Sequence, residues 1–351
     1  MTTYYVTTSG SDSNNGLTEG TAFATPGYAA SVATTSGDII YIKSGTYTLS
    51  TTTVNASGGP MRIPAGVEIE GYQTTAGDQG SKPVINAGTQ AVATIIELDA
   101  PGSNQKASSV TCVEVDGNST AGNGIWVLDS YIGFANNCIA RNCVNGYRAQ
   151  YNRGAIANCS AFNCSSYGFY GGTLSMCLAD SCTTGFYDKL GAIDRCIASN
   201  NASFGFYFSN LNYQALFCVA YNNGNSGFAA NSDITHLVSC ISASNGRYGY
   251  DFPWSDSTAD PLLLDCADYN NTDGRKRQTF NTRDIRPINL AADPFTSAST
   301  GDFTLNNDAG GGAELRQIQL SGLAGVNGVF DVGAIDAVVT AGGGNVIVIE
   351  D

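Results

Sequence analysis

Histidine is nearly missing from this 351-residue chain: His236 stands alone. That argues against imidazole-based metal centres and against any Cys–His or Ser–His nucleophile pair not built on that one residue. Charge is scarce as well. Only 13% of residues are charged, and 30 acidic groups outnumber 16 basic ones, for a net charge of −14 and a pI near 4.3. Such a chain lacks the basic footprint that nucleic acid requires, so no nucleic-acid partner is expected. Long apolar runs are absent, and nothing approaches the ~20 residues of a membrane-spanning helix. Met1-Thr-Thr-Tyr-Tyr-Val6 has neither the basic region nor the apolar core of a signal peptide, so synthesis in a cytoplasm without a signal is expected.

What is present is a repeat. Cys112, Cys138, Cys159, Cys177, Cys196, Cys218, Cys240 and Cys266 follow one another at gaps of 26, 21, 18, 19, 22, 22 and 26 residues. Their surroundings recur too: Cys138-Ile-Ala-Arg-Asn-Cys143, Cys159-Ser-Ala-Phe-Asn-Cys164, Cys177-Leu-Ala-Asp-Ser-Cys182, then Cys196-Ile-Ala-Ser-Asn-Asn201 and Cys218-Val-Ala-Tyr-Asn-Asn223. Most units go on to a glycine–aromatic pair, as in Gly146-Tyr147, Gly168-Phe169, Gly185-Phe186, Gly205-Phe206, Gly227-Phe228 and Gly249-Tyr250. A period near 20 residues is the mark of a solenoid, whose coils bury their apolar faces only by stacking. With 42 glycines and much Ser, Thr, Asn and Ala, the chain reads as all-β: a single-stranded right-handed parallel β-helix of roughly 11 or 12 coils, about 50–60 Å long.

Equivalent residues of stacked coils form columns ~4.8 Å apart. The eight cysteines are expected as one core ladder of small, buried, free thiols; in-register Cβ atoms sit further apart than the ~3.8 Å a disulfide prefers, and a total of 11 cysteines is odd. Asn142, Asn163, Asn200, Asn222 and Asn270, with Ser181 and Ser244, mark a corner, since asparagine tolerates left-handed backbone. The aromatic after each glycine is expected beside the thiols. One point stays open. The residue after the cysteine is usually apolar (Ile139, Leu178, Ile197, Val219, Ile241), so either the chain bends near the cysteine or one outer face is apolar and makes contacts.

Four segments are expected: an N-terminal cap over 1–37, the β-helix over 38–290, a closing segment over 291–340, and a glycine spacer with a terminal strand over 341–351. The cap includes a short helix near Phe23–Ala33, with Pro26 at its start, covering exposed strand edges. Asp12, Glu19 and Asp38 read as turn and capping groups. Residues 272–286, which carry Arg275, Lys276, Arg277, Arg283 and Arg286, break the repeat and read as a solvated excursion or contact loop.

Tyr4-Tyr-Val, Ser9-Gly-Ser-Asp12, Phe23-Ala-Thr25, Gly37-Asp38 and Gly45-Thr-Tyr47 resemble the opening of pectate-lyase-like right-handed β-helix proteins. Asp293-Pro-Phe295, Gly301-Asp-Phe-Thr-Leu305 and Asp331-Val-Gly-Ala-Ile335 resemble their closing segment. The glycine-rich end is similar to β-helix proteins of tailed bacteriophages. The resemblance is specific for fold and weak for function, because this fold carries lyases, hydrolases, epimerases, tail spikes and structural proteins. It implies a structural virion surface protein, of head-decoration, fibre or tail-spike type, located in the virion and adhering to host glycans. Capsid or tail subunits, host surface polysaccharide and further copies of the chain are the implied partners. A polysaccharide depolymerase, lyase or glycoside hydrolase, is the alternative.

The chemistry such an enzyme needs is only partly present. Asn271-Thr-Asp-Gly274 matches one short polygalacturonase motif, but the rest of that pattern is missing, and a turn leaving the last cysteine coil is the simpler reading. Residues 247–268 gather Tyr248, Tyr250, Trp254, Asp251, Asp256 and Asp268. Rings beside carboxylates suit sugars, so Tyr248, Tyr250, Trp254 and Asp256 are glycan-binding candidates. Asp251, Asp256 and Asp268 are the candidate catalytic carboxylates; a loop covering the core is the competing reading. Lyases of this fold use calcium, but nothing in the sequence supports a calcium site, and neither metal nor cofactor is expected. The terminal Val346-Ile347-Val348-Ile349 is strongly β-prone and suits strand addition, either to its own sheets or to a neighbouring subunit, as an assembly anchor.

Overall fold

A computed structural model describes residues 1–49, 61–99, 107–128, 133–149, 154–188, 191–209, 213–231, 235–252, 261–277 and 283–315. The terminal Val346–Ile349 and the latter part of the closing segment lie outside them. Two compact units result: Met1–Thr173 with Ala179–Thr183, and Leu174–Leu178 with Thr184–Asp351.

Each unit is a stack of coils that give one strand to each of three parallel sheets. In the first unit, one sheet runs through Thr3–Val6, Ile39–Lys43, Glu68–Tyr72, Ser109–Thr111, Phe134–Asn136 and Ala155–Ala157. A second contains Thr46–Thr48, Val84–Asn86, Glu114–Asp116, Ile139–Arg141 and Ser160–Phe162. The third contains Met61–Ile63, Thr94–Leu98, Asn123–Val127, Asn145–Ala149 and Tyr167–Tyr170. The second unit repeats the plan; its third sheet is Thr184–Asp188, Phe206–Phe208, Phe228–Ala230, Tyr248–Asp251 and Gly274–Lys276. This is the all-β parallel β-helix that the repeat predicts.

Two single-residue bends turn each coil. The expected corner is one: Asn142, Asn163, Ser181, Asn200, Asn222, Ser244 and Asn270 all have φ between 49° and 57°. The other falls immediately before the cysteine, at Asn137, Asn158, Met176, Arg195, Phe217, Ser239 and Asp265, again left-handed. It sets the cysteine pointing inward and the next residue outward. Both open alternatives therefore hold: the chain bends at the cysteine, and the outer face of the second sheet carries an apolar row. In the second unit this row belongs to the protein's own packing. Ile197, Val219 and Ile241 are buried, and beside them Tyr221 meets Phe295 and Phe303 of the closing segment edge-on, with centroids 6.0 and 5.6 Å apart.

The interior is a set of columns. In the second unit the rings of Phe186, Phe206, Phe228 and Tyr250 stack at 4.7, 4.7 and 5.5 Å. Cys177, Cys196, Cys218, Cys240 and Cys266 form the adjoining thiol column, and all eleven cysteines are buried and free. Cys112 departs from the ladder. Glu114 pairs with Ile139, so Val113, not Cys112, lies in register with Cys138. Cys112 itself occupies the bend, with φ 57°, and its thiol points to the Gly80 carbonyl at 3.8 Å. A further column, unforeseen, follows the Asn corner: Asn201, Asn223, Asn245 and Asn271 pass side-chain amide hydrogen bonds of 2.8–2.9 Å from one coil to the next.

The expected N-terminal helix forms. Pro26–Val32 is a helix; Thr25 caps it, its hydroxyl accepting from Tyr28 N at 3.3 Å. Asp12 accepts from the Ala24 and Thr25 amides, and Asp38 from those of Thr2 and Thr35. Glu19 instead pairs with Lys43 at 2.7 Å. Residues 272–286 correct the sequence reading: Gly274–Lys276 and Arg283–Ile285 are strands of another coil. Arg275 turns inward and seals its core. It grips both Asp284 oxygens at 3.0 and 3.1 Å, donates to the Cys266 and Ile288 carbonyls, and lies over the Tyr250 ring.

Candidate functional site

Of the carboxylates singled out in the sequence, the two that are described, Asp251 and Asp268, do not converge. Asp268 is registered with Ser242, on the row of the second sheet that faces Gly249 across the interior. Its carboxylate accepts from Asn271 Nδ2 at 2.5 Å, and burial raises its pKa against the opposing pull of Asn271 and Arg275. Asp251 lies on the third sheet, one residue past the inward-facing Tyr250, and so on the outward row. It is only 4% exposed, accepts from Ser226 at 3.2 Å and pairs with Arg277 at 3.6 Å. One carboxylate inside the wall and one on its outer side do not make an acid–base pair. Asp256 and Trp254 fall outside the described residues.

Tyr250 is withdrawn as a sugar ligand. It is fully buried, and its hydroxyl donates to the Ala267 and Cys240 carbonyls at 2.7 and 3.0 Å, so no ring face is left for a sugar. Tyr248 is half-buried and lies beside Arg247, whose guanidinium carbon is 5.4 Å from the ring centroid. The Asn271–Gly274 match is a turn: the Gly274 amide donates to the Asn271 carbonyl at 3.0 Å, and Asp273 pairs with Arg247.

A different surface stands out on the third sheet. Alternation along its strands puts Ile96 and Leu98, Ile125 and Val127, Tyr147 and Ala149 inside, all buried. The residues between them face out: Glu97, Trp126 and Arg148, followed in the next strand by Tyr170. Each is half-buried. Arg148 lies over the Trp126 ring at 4.6 Å and the Tyr170 ring at 5.7 Å, and Tyr167 leans on Tyr170 at 5.4 Å. At the beginning of the row, Arg62 holds Asp99 at 3.0 Å and Glu97 at 3.7 Å. Burial raises the pKa of Glu97 despite that cation. In the second unit the same row holds Tyr187 and Tyr207, stacked at 5.4 Å, with Phe204 tilted against Tyr207 at 5.1 Å.

The sequence contained the signal for this face. It is the residue after four of the six core aromatics: Tyr147-Arg148, Phe169-Tyr170, Phe186-Tyr187, Phe206-Tyr207. A ring or a cation recurs at a position where solvent exposure demands neither.

No protein-family model matches the sequence, and no curated protein matches it. Solved structures do. A rhamnogalacturonan lyase superposes with a TM-score of 0.55 over 90% of this chain and 98% of its own, at 15% identity. The pectate lyase Pel9A gives 0.54 over 91% and 85%, also at 15% identity. XylC, solved in complex with xylose, gives 0.51 over 80% and 70%, at 11% identity. The chain has the pectate-lyase-like β-helix fold. At these identities the likeness is one of fold, and the pectate-lyase-like scaffold fixes no chemistry. What distinguishes this β-helix is the set of side chains it displays, above all the outward row of its third sheet.

Proposed function

We propose that this protein is a glycan-adhesion β-helix, displayed on a tailed-phage particle as a structural surface protein. The observation that carries the reading is the outward row of the third sheet. Half-buried rings held on a rigid wall suit the apolar faces of sugar rings, and polar neighbours suit their hydroxyls. Trp126 and Tyr170 stand two strands apart, about 9.6 Å, with Arg148 between them. The virion setting is supported by the resemblance of the glycine-rich end to β-helix proteins of tailed bacteriophages. Capsid or tail subunits and further copies of the chain are the proposed partners, engaged through the terminal Val346–Ile349.

A depolymerase is the second reading, and one observation favours it. Glu97, with its raised pKa, sits two residues from Asp99 on the same outward face, beside Trp126. Glycoside hydrolysis uses a pair of carboxyl groups set on one face of a groove.

The test is binding of immobilised bacterial surface polysaccharides by the wild type, Trp126→Ala and Tyr207→Ala, with the soluble phase assayed for released sugar ends. Retention that weakens about tenfold or more in either variant, with no release, supports adhesion. Release that disappears in Glu97→Gln moves the assignment to a depolymerase. Retention that neither ring substitution changes removes the third sheet as the site.

A further inference from the structure

The N-terminal cap covers one strand edge and leaves another bare. At the start of the first sheet, the outer groups of Thr3–Val6 are satisfied: the Tyr5 amide donates to the Gly16 carbonyl at 2.8 Å, and the Tyr5 carbonyl accepts from the Phe23 amide at 2.9 Å. The second sheet begins with Thr46–Thr48, which pairs with Val84–Asn86 on one side and, among the described residues, with no strand on the other. The Gly45 carbonyl and the Leu49 amide both turn to that neighbour, bonded to Val84 and Asn86 at 2.8 Å each. Main-chain direction alternates along a strand, so the N–H and C=O groups of Thr46 and Thr48 point the other way. Among the described residues nothing pairs with them, and both threonines are exposed.

These groups border a groove of about 170 Å³, lined by Thr8, Ala24, Thr25 and Pro26 as well as by Thr46–Leu49. None of the lining side chains is charged. The strand itself, Thr-Tyr-Thr, has neither the lysine nor the proline that commonly blunts an open edge. Unpaired main-chain groups beside an uncharged groove are a template for one more strand. The segment suited to it is Val346-Ile-Val-Ile349, four uncharged β-branched residues, as many as there are positions from Thr46 to Leu49. Alternation would set two of its side chains beside the inward Tyr47 and Leu49, and the other two beside Thr46 and Thr48. Residues 316–345 precede it, enough chain to bridge about 100 Å when extended. We infer that the open edge of Thr46–Thr48 is the acceptor for the Val346–Ile349 strand of a second copy. This rests on the reading that copies engage one another through that segment, and supplies the surface it meets. Donor and acceptor are different surfaces, so the contact is heterologous: each copy gives a strand and receives one, and association runs on to a ring or an open chain.

Sedimentation of the full chain tests this, as wild type, as Thr48→Pro, and as Ile347→Pro combined with Val348→Pro. Proline at 48 removes a donor that the sheet does not use, where an edge strand tolerates it, and the two prolines in the tail spoil the donor strand in either alternation. Thr46→Lys, which blunts the edge by charge and leaves the backbone intact, guards against misfolding of Thr48→Pro. The expected result is a concentration-dependent series above the 36.4 kDa monomer for the wild type, and monomer alone for each variant. An equimolar mixture of Thr48→Pro with the tail variant should give 1:1 dimers, because one keeps the donor strand and the other the acceptor edge. Oligomers abolished by the tail prolines but by neither edge substitution overturn the acceptor and leave the terminal-strand reading standing. Oligomers that survive every substitution overturn both. A wild type that stays monomeric and a mixture that forms no dimer overturn the assignment to a second copy; a melting transition lowered equally by the tail and edge variants would then assign the segment to the edge of its own chain.

Discussion

At the scale of the residue, the fold depends on side chains that tolerate a left-handed backbone. Asn222 shows how. Its φ is 50°, and its side-chain amide donates to Asn200 Oδ1, one coil away, at 2.8 Å. An alanine there keeps the strained conformation, which costs a Cβ-bearing residue roughly 1–2 kcal/mol, and loses the hydrogen bond. A glycine loses only the bond and relieves the strain. Asn222→Ala is therefore expected to be less stable than Asn222→Gly in urea unfolding, by about 1 kcal/mol. Equal losses would mean that the ladder amide, not the backbone, sets the requirement. This corner was legible because asparagine announces it. The bend before the cysteine was legible only as one of two alternatives, because Met176, Arg195, Phe217 and Asp265 have no common tendency toward left-handed backbone. They adopt it because the cysteine on one side and the strand on the other are both fixed by stacking, and tertiary packing overrides local preference.

At the scale of the element, the clearest lesson is the coil that contains Arg275. Five basic residues in a segment that breaks a pattern read as a solvated loop, since arginine is seldom buried. What the sequence does not display is the partner. Asp284 meets Arg275 only after residues 274–276 and 283–285 have become strands of different sheets. Once paired, the arginine closes the column of rings and thiols by covering Tyr250 and satisfying the Cys266 and Ile288 carbonyls. Arg275→Met would leave Asp284, whose side chain is only 10% exposed, without that pairing, with Lys276 at 3.6 Å its remaining cation. Breaking a buried pair from one side typically costs about 3–5 kcal/mol. The expected outcome is a loss in that range for Arg275→Met and a smaller one for Arg275→Met with Asp284→Leu, measured by denaturant unfolding. Additive losses from the two substitutions would show that the pair is not coupled. The same register logic explains Cys112: a count of cysteines places it in the ladder, whereas the pairing of Glu114 with Ile139 moves it one residue out.

At the scale of the whole molecule, the period of the repeat carried the architecture, but it carried little of the site. A solenoid reuses one coil, so its buried half repeats and is easy to see. Its displayed half is freed from that constraint, and the row from Glu97 to Tyr170 emerges only when strands are stacked in register. The thiols test the buried half. Burial keeps several of them protonated in the folded protein: it pushes Cys112 up to about 11 and Cys143 to about 12, and raises Cys138, Cys240 and Cys266 as well. At those five positions a reagent that attacks the thiolate meets almost none of it at pH 8, and all eleven cysteines are buried besides. Native protein should react slowly, at a rate limited by unfolding, and protein unfolded without reductant should yield close to the 11 groups that the sequence contains. A yield of one or three would require disulfides between stacked cysteines, and would overturn the thiol column as the filling of this core. Fast reaction of a few groups in the native state would have a narrower meaning. It would place the bend residue Cys112, displaced from the ladder, within reach of solvent, and leave the column of the second unit intact.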